Sequence, residues 1–532
     1  MSHRFFHVPA EQARPPPVGA PSGANRLGLN DDDMKQRWDR ARGRSNKVAA
    51  RSWIAAASIV VLCASQHAHA TLPDPIARAM RDVGVPANAV SLYVREVGRQ
   101  EPLIDHRGST AMNPASTMKI ITTLVGLDVL TPGYTWKTTF HTNARIENGV
   151  LMGSLFIKGS GDPKFVTEHL QAAIVALRAR GIRDIAGDVI LDRSAFAPAT
   201  HDPALFDGQF LRPYNVGPDA LLFNFKSVGF KLVPLPDNSV AVTTDAPTPD
   251  GLTITNRLRV TGVLGGGCGD YRNLVTPAFK SDGFYASASF TGTYPRDCGE
   301  QSWYVSLFDH TGLLAGSFAR LWRDAGGTWS GAMKQGVLPK KTRLLYTHSS
   351  APLSTMVTDI NKFSNNVMAR QLLLTLDAEL SKRPAQARRG ARSIRDWAKA
   401  RGFDLPELVI ENGSGLSRIE RVSTQGMAKI LEYGLTSPFA SDFVSSLPLA
   451  ATDGTLAKRF VNQLAEGSAY LKTGTLTGVK ALAGYLLLPG DRKMIFVGII
   501  NHGNAESGTK ALDAAVDWVY QTEAAHLKAM TK

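Results

Sequence analysis

The stretch Asn113-Pro-Ala-Ser-Thr-Met-Lys-Ile-Ile-Thr-Thr-Leu-Val-Gly-Leu-Asp-Val-Leu130 carries the most informative pattern in the chain. Pro114 suits a helix's first turn, and the apolar residues after it recur at helical spacing. On that helix Ser116 and Lys119 are three residues apart and share a face, so the amine can reach the hydroxyl. A serine is a weak nucleophile until a neighbouring base takes its proton. A lysine becomes that base only if burial or another cation destabilises its ammonium. Ile120, Ile121, Leu124 and Val125 supply an apolar setting. Taken alone, Ser-x-x-Lys recurs by chance and also describes a solvated helical turn.

Two further candidates lie downstream, in order. Ser364-Asn-Asn366 falls between the helical run Leu353–Asn361 and the apolar run Val367–Leu374, so its hydroxyl and carboxamide can point into one cleft; both residue types also cap helices. Lys472-Thr-Gly-Thr475 ends a strand-like stretch that begins near Ser468. A cation beside the hydroxyls of Thr473 and Thr475 suits a carboxylate, and Gly474 clears room for a substrate strand against the backbone. His310-Thr-Gly312 is a decoy, because it precedes Ser364 and opens a helix.

Outward from these motifs, Leu72 onward reads as a helix and Ala89–Arg95 as a strand. Thr138–Ile146 and Val150–Lys158 read as a hairpin around Glu147-Asn-Gly149. Val166–Gly181 reads as a helix, Ile185–Asp192 as a strand, and residues 222–300 as short strands. Helical patterning returns at Gly312–Ala325, Leu353–Leu376, Ala385–Arg401 and Thr424–Leu435, the last with Ser423 or Thr424 as N-cap. Three strands, Ser468–Thr475, Ala481–Leu488 and Lys493–Asn501, precede a final helix, Ala511–His526.

Ser-x-x-Lys, Ser-Asp-Asn and Lys-Thr-Gly together mark β-lactamases and penicillin-binding proteins; here the middle motif is Ser364-Asn-Asn366. From about residue 75 to the C-terminus the chain resembles the class C low-molecular-mass penicillin-binding proteins, the D-alanyl-D-alanine carboxypeptidase/endopeptidase family. Gly159-Ser-Gly-Asp-Pro163, Pro213-Tyr-Asn-Val-Gly-Pro218, Asn412-Gly-Ser-Gly-Leu-Ser-Arg418 and Asp453-Gly-Thr-Leu456 resemble further segments of that family. The resemblance implies an α/β (α+β) fold. Its catalytic domain is serine DD-peptidase/β-lactamase-like, an antiparallel sheet flanked by helices plus a helical lobe, with two nested inserted domains. The expected division is 71–138 plus 343–532 for the catalytic domain, 139–203 plus 283–342 for the inserted domain and 204–282 for the nested, strand-rich one.

For mechanism, the resemblance implies that Ser116 attacks the carbonyl between two terminal D-alanines with Lys119 as neutral base. Ser364 and Lys472 then pass the proton to the departing amine, with Asn366 holding substrate or lysine. Lys472, kept charged, binds the terminal carboxylate with Thr473 and Thr475, and backbone N–H groups of Ser116 and Thr475 take the oxyanion. Arg418 and Tyr214 are expected at the pocket for the peptide's side chain; Gln209 stands where an acidic partner usually does, with Asp207 nearby. Expected partners are peptidoglycan stem peptides and β-lactams, with room for a homodimer; no cofactor and no metal are expected. Two other readings are a slow-turnover β-lactam or cell-wall binding protein and a β-lactamase. The full motif set opposes the first. The long insertion between Ser116 and Ser364, and the lack of a Glu-x-x-x-Asn between Asn366 and Lys472, oppose the second.

Composition agrees with an exported globular chain. Of 532 residues 43% are apolar and 20% charged. The net charge is +14, without a concentrated basic block, which argues against nucleic acid. Residues 1–52 are polar and aperiodic, reading as disordered. Trp53–Ala64 is a short apolar run after Arg42, Arg44, Lys47 and Arg51, and Ala68-His-Ala70 follows it. This describes a secretory signal removed near residue 70, leaving no integral span in the mature chain and a periplasmic address; Met34 would make a more ordinary start. Cys63 leaves with the signal. Cys268 and Cys298 remain, an even pair expected to form one disulfide in an oxidising compartment.

Overall fold

The computed structural model describes residues 72–530 except 263, 264 and 266. The export signal, Cys63 and the disordered tail read from the sequence lie outside the described residues.

The sheet that carries the site is five-stranded and antiparallel throughout. Its order is Ala469–Leu476, Val479–Leu488, Arg492–Asn501, Val90–Glu96, Ile104–His106. The three C-terminal strands thus form a meander closed by an N-terminal strand, and Ala469–Leu476 is left at an edge. Both faces are covered, and the period-two alternation of side chains assigns residues to them. Leu482, Leu486, Phe496 and Ile500 meet Ile76 and Met80 of Asp74–Asp82 and Leu512, Val516 and Val519 of Thr509–Met530. Ala481, Ala483, Tyr485, Ile495, Val497 and Ile499 belong to a second core. That core holds the helices Met118–Leu130, Leu353–Phe363, Asn366–Ser381, Ala387–Ala400 and Thr424–Thr436. Met118–Leu130 is buried nearly all round, which is why it is apolar rather than amphipathic. Ser423, not Thr424, caps the last of these helices by accepting from the Gly426 N–H.

The chain leaves this unit through Lys137–Thr142 and returns through Arg343–Ser349, and these two strands pair antiparallel. They lie next to each other at one side of a second five-stranded sheet, ordered Met333–Gln335, Val189–Asp192, Leu155–Gly159, Lys137–Thr142, Arg343–Ser349. The hairpin read around Glu147-Asn-Gly149 is present: Lys137–Thr142 pairs antiparallel with Leu155–Gly159 and Ile146–Glu147 with Val150–Leu151 in one register, though the second pair belongs to a separate four-stranded sheet. One sequence reading needs correction here. The strand read over Ile185–Asp192 is two, Asp184–Ile185 in the four-stranded sheet and Val189–Asp192 in the five-stranded one. Alternation shows which residues face inward; it does not show where a run changes its pairing partner.

Beyond these lie a sheet ordered Val240–Thr244, Val228–Pro234, Gln301–Val305 and another built around Ala286–Pro295. Ala286–Pro295 pairs with Leu252–Asn256, Arg259–Thr261 and Val275–Ser281. Cys268 and Cys298 are disulfide-bonded. Opening that bond is expected to cost about 2–4 kcal/mol of stability through the loop it closes. Because the bridge sits far along the chain from the three motifs, turnover of the reduced, folded enzyme should be almost unchanged. Melting curves and activity with and without reductant check both halves.

Candidate active site

Lys119 is wholly buried, at 0% exposure. Its Nζ lies 3.0 Å from Ser116 Oγ, donates to Asn366 Oδ1 at 2.6 Å, and also contacts the Ser414 carbonyl. The partner chemistry is informative. Asn366 Nδ2 donates to the Tyr214 carbonyl at 3.1 Å, which turns Oδ1 toward the lysine. Asn366 Oδ1 and the Ser414 carbonyl can therefore only accept. A neutral amine has two protons and one lone pair, so two acceptors use its protons and the lone pair faces the Ser116 hydroxyl. Burial, and then the charge of Lys472, hold the Lys119 pKa well below the ordinary lysine value, with Glu420 opposing.

Lys472 is equally buried, at 0% exposure, and its Nζ donates to Ser364 Oγ and to the Thr473 carbonyl, both at 2.9 Å. Burial pushes its pKa down to about 7. Desolvation therefore acts on both lysines, and an incoming carboxylate would favour the charged form of Lys472. Ser364 joins Leu353–Phe363 to Asn366–Ser381 with a left-handed φ of 57°. The next residue, Asn365, caps the second helix by accepting from the Met368 N–H at 3.1 Å. Asn and Asp serve equally well at that position, which accounts for the departure from Ser-Asp-Asn.

The serine itself stands on strained backbone. Ala115 has a φ of 46°, a left-handed conformation that costs a non-glycine residue energy unless its surroundings enforce it. Asn113 enforces it: its Oδ1 accepts from the Ala115 N–H at 2.9 Å, and its Nδ2 donates to the Ser417 carbonyl at 2.8 Å. Its own N–H donates to Asn501 Oδ1, and Asn501 Nδ2 returns a bond to its carbonyl, at 2.8 and 3.0 Å. Asn113→Ala should lose about 1–3 kcal/mol of stability and slow acylation, since the two side-chain bonds go unmade and the two main-chain ones loosen. Thermal melts and labelling rates test it. Gly415 closes the same corner with a φ of +81°; a Cβ there would lie 2.0 Å from the Ala115 carbonyl oxygen. Gly474 has a comparable reason, since its Cβ would sit 2.7 Å from the Pro114 carbonyl oxygen.

Sequence reasoning missed the frame that spaces these groups. Asp453 pairs with Lys362 at 2.7 Å, just before Ser364, and Thr455 Oγ1 accepts from Thr473 Oγ1 at 2.9 Å. The Asp453-Gly-Thr-Leu456 segment therefore ties the second motif to the third. Glu420 was also missed. It is fully buried, and its Oε1 accepts the N–H groups of Glu411, Asn412 and Gly413 at 3.0–3.1 Å, holding the turn that presents the Ser414 carbonyl. Burial raises its pKa against those three bonds. Its signal in the sequence was only an acid two residues beyond Arg418.

At the rim, Tyr214 donates its hydroxyl to Asp207 at 2.8 Å, and Asn215 Nδ2 donates to the same carboxylate at 2.7 Å. The acid beside Tyr214 is Asp207; Gln209 contributes its main-chain carbonyl to Asn215 Nδ2. Arg418 stacks 4.5 Å above the Phe206 ring and donates to the Thr477 carbonyl at 2.9 Å. His310-Thr-Gly312 opens the helix His310–Asp324, capped by Asp309. Among the described residues no group of three or more His, Cys, Asp or Glu side chains is placed to hold a metal ion.

The edge of Ala469–Leu476 completes the cleft. The Leu471 N–H bonds outward to the Pro448 carbonyl at 2.9 Å. By the period of two, the Thr473 and Thr475 backbone groups point to the same open side, where an extended peptide can add as a further strand. Such a cleft pairs an activatable serine with buried amines, hydroxyls and edge N–H groups, a set suited to acyl transfer from a peptide.

Known proteins are similar to this chain in sequence and fold. The chain is 26% identical over 428 residues to the D-alanyl-D-alanine carboxypeptidase DacB of Haemophilus influenzae, covering 79% of this chain and 88% of that one. It is 25% identical over 459 residues to the D-alanyl-D-alanine carboxypeptidase of Actinomadura sp. (strain R39), covering 84% and 83%. Its fold matches the crystal structure of penicillin binding protein 4 (dacB) from Haemophilus influenzae complexed with a β-lactam. The TM-score there is 0.65 at 22% identity, over 84% of this chain and 99% of that one. The family model for D-Ala-D-Ala carboxypeptidase 3 (S13) matches residues 72–522, and the chain belongs to that family of serine-type D-Ala-D-Ala carboxypeptidases.

Proposed function

We propose that this carboxypeptidase works through an acyl-enzyme on Ser116, with Lys119 as the base. The observation that carries the reading is the partner set of Lys119 Nζ: two groups that only accept, and one hydroxyl. Ser116 attacks the carbonyl between two terminal D-alanines. Lys119 takes the hydroxyl proton, and Ser364 with Lys472 returns a proton to the departing amine, because an amide nitrogen leaves badly as an anion. The Ser116 and Thr475 N–H groups receive the oxyanion. Thr475, beside Gly474, takes the terminal carboxylate with Lys472, the Thr473 hydroxyl being already donated to Thr455, and Tyr214 and Arg418 wall the pocket for the peptide's side chain. Water then frees the enzyme.

Substrate is drawn from peptidoglycan stem peptides. A crosslink amide that joins D-alanine to a D-centre bearing a free carboxylate offers the same contacts, so endopeptidase cleavage belongs to the reading. β-Lactams, seen bound to the Haemophilus influenzae relative, should acylate Ser116. Export to the periplasm is supported by the disulfide and by the signal read in the sequence. Among the described residues no helix is long and apolar enough to cross a membrane. Incubation with a D-Ala-D-Ala-ended peptide should release alanine steadily, and muropeptide profiling of treated sacculi should show shortened stems and fewer crosslinks. Acylation without release would make the protein a binding protein instead.

The domain division proposed is 71–138 plus 343–532, 139–203 plus 283–342, and 204–282. The paired strands Lys137–Thr142 and Arg343–Ser349 support the first seam. Gln301–Val305 still pairs with Val228–Pro234, so the nested domain's second seam is better drawn after Val305.

A further inference from the structure

Thr475 stands directly across the sheet from Lys480, and Lys480 Nζ donates to Thr475 Oγ1 at 3.1 Å. A threonine hydroxyl has one proton to donate and can accept through its lone pairs. The lysine occupies an accepting position, and an ammonium cannot accept in return. The hydroxyl proton is then left to be donated outward, and among the described residues no acceptor on this chain takes it. Thr473 differs, because its hydroxyl is already paired with Thr455 at 2.9 Å. Thr475 therefore offers a committed donor on the open side of the edge strand, with a cation one side chain behind it. Lys480 is half-buried; burial, and then Arg459, lower its pKa from the ordinary lysine value, with Glu506 and Asp513 opposing.

We propose that Lys480 is a specificity-determining positioning residue: it turns the Thr475 hydroxyl into an obligate donor and gives the site its preference for a free C-terminal carboxylate. The proposal rests on the reading that Thr475 meets that carboxylate. It accounts for a cation on Val479–Leu488 that the mechanism does not otherwise use. A charged donor behind a neutral one strengthens the outward hydrogen bond most when the acceptor is an anion.

The test compares the mature enzyme with its Lys480→Met and Lys480→Arg variants on two peptides. One ends in D-Ala-D-Ala with a free carboxylate, and the other is its C-terminal carboxamide. Lys480→Met should raise KM for the carboxylate peptide about tenfold, the size of one weakened bond to a charged group. Its kcat should stay within about twofold, carboxamide kinetics should be unchanged, and Lys480→Arg should recover most of the loss. Equal losses on both peptides would mean that Lys480 only supports the strand and would overturn the proposal. So would full retention of carboxylate preference in Lys480→Met. If the wild-type enzyme itself does not distinguish the two peptides, the carboxylate reading of Thr475 falls, and this proposal falls with it.

Discussion

Ser116→Ala is expected to abolish covalent labelling by penicillin, and Lys119→Met to slow acylation by roughly 10²–10⁴-fold, the usual worth of a general base. The reason is geometric. Lys119 Nζ lies 3.0 Å from Ser116 Oγ, and no second amine is bonded to that hydroxyl among the described residues. Methionine keeps the length and apolar stem of lysine, so the packing of Met118–Leu130 survives. Asn366 Oδ1 and the Ser414 carbonyl lose a donor, while a costly buried amine disappears. The net change in stability should stay within about 1–3 kcal/mol. Lys119→Arg is different. The sequence alone predicts normal folding and very slow acylation for that variant. The structure shows no exposure at Lys119 and three close partners, so a bulkier, permanently charged guanidinium should damage folding as well as acylation. Labelling rates beside thermal melts decide the matter. A Lys119→Met enzyme that acylates at nearly the wild-type rate would move the base to Ser364 or Lys472.

The second large effect is on pH dependence. Lys119 must be neutral to act, and its pKa is held well below the ordinary value of 10.5, so acylation should rise with pH along an acid limb. Lys472 serves a carboxylate best when protonated, and its pKa is about 7, so kcat/KM should fall as pH climbs through that value. A bound carboxylate favours the ammonium, which should carry the alkaline limb of kcat to higher pH than that of kcat/KM. Lys472→Met should lower kcat/KM at least about a hundredfold and remove the alkaline limb. The same burial has a stability consequence with a definite sign. Unfolded Lys472 keeps its proton to about pH 10.5, whereas the folded protein releases it near 7. Between those values the unfolded state binds more protons, so this lysine's contribution to stability rises with pH. The difference in unfolding free energy between wild type and Lys472→Met should change across that window and be flat below it. A constant difference from pH 7 to 10.5 would show that Lys472 is not depressed.

The motif order and the elements beneath it were legible because they are local. Ser116 and Lys119 meet through one helical turn, a relation that i and i+3 spacing states directly. Ser364 reads as a break between helices, and it is one, with Asn365 capping the second. The last three strands are visible as short apolar runs bounded by turns, the latter two linked by Pro489-Gly-Asp491. The splitting of Ile185–Asp192 between two sheets is not, because pairing partners leave no mark on one strand's own periodicity.

Side-chain identity and local spacing were enough to name the groups that carry the chemistry and the elements that present them, down to the serine and lysine on one turn. Tertiary structure decided how those groups pair. Lys119 meets Asn366 across 247 residues, Lys472 meets Ser364 across 108, and Asn113 is held by Asn501 across 388. No local period relates such positions; the packing of helices against a covered sheet does. Burial is a property of that packing as well. Two lysines that look alike in sequence become a strongly desolvated amine bonded to the serine and a second one poised near neutrality, because the fold takes both out of water and sets one beside the other.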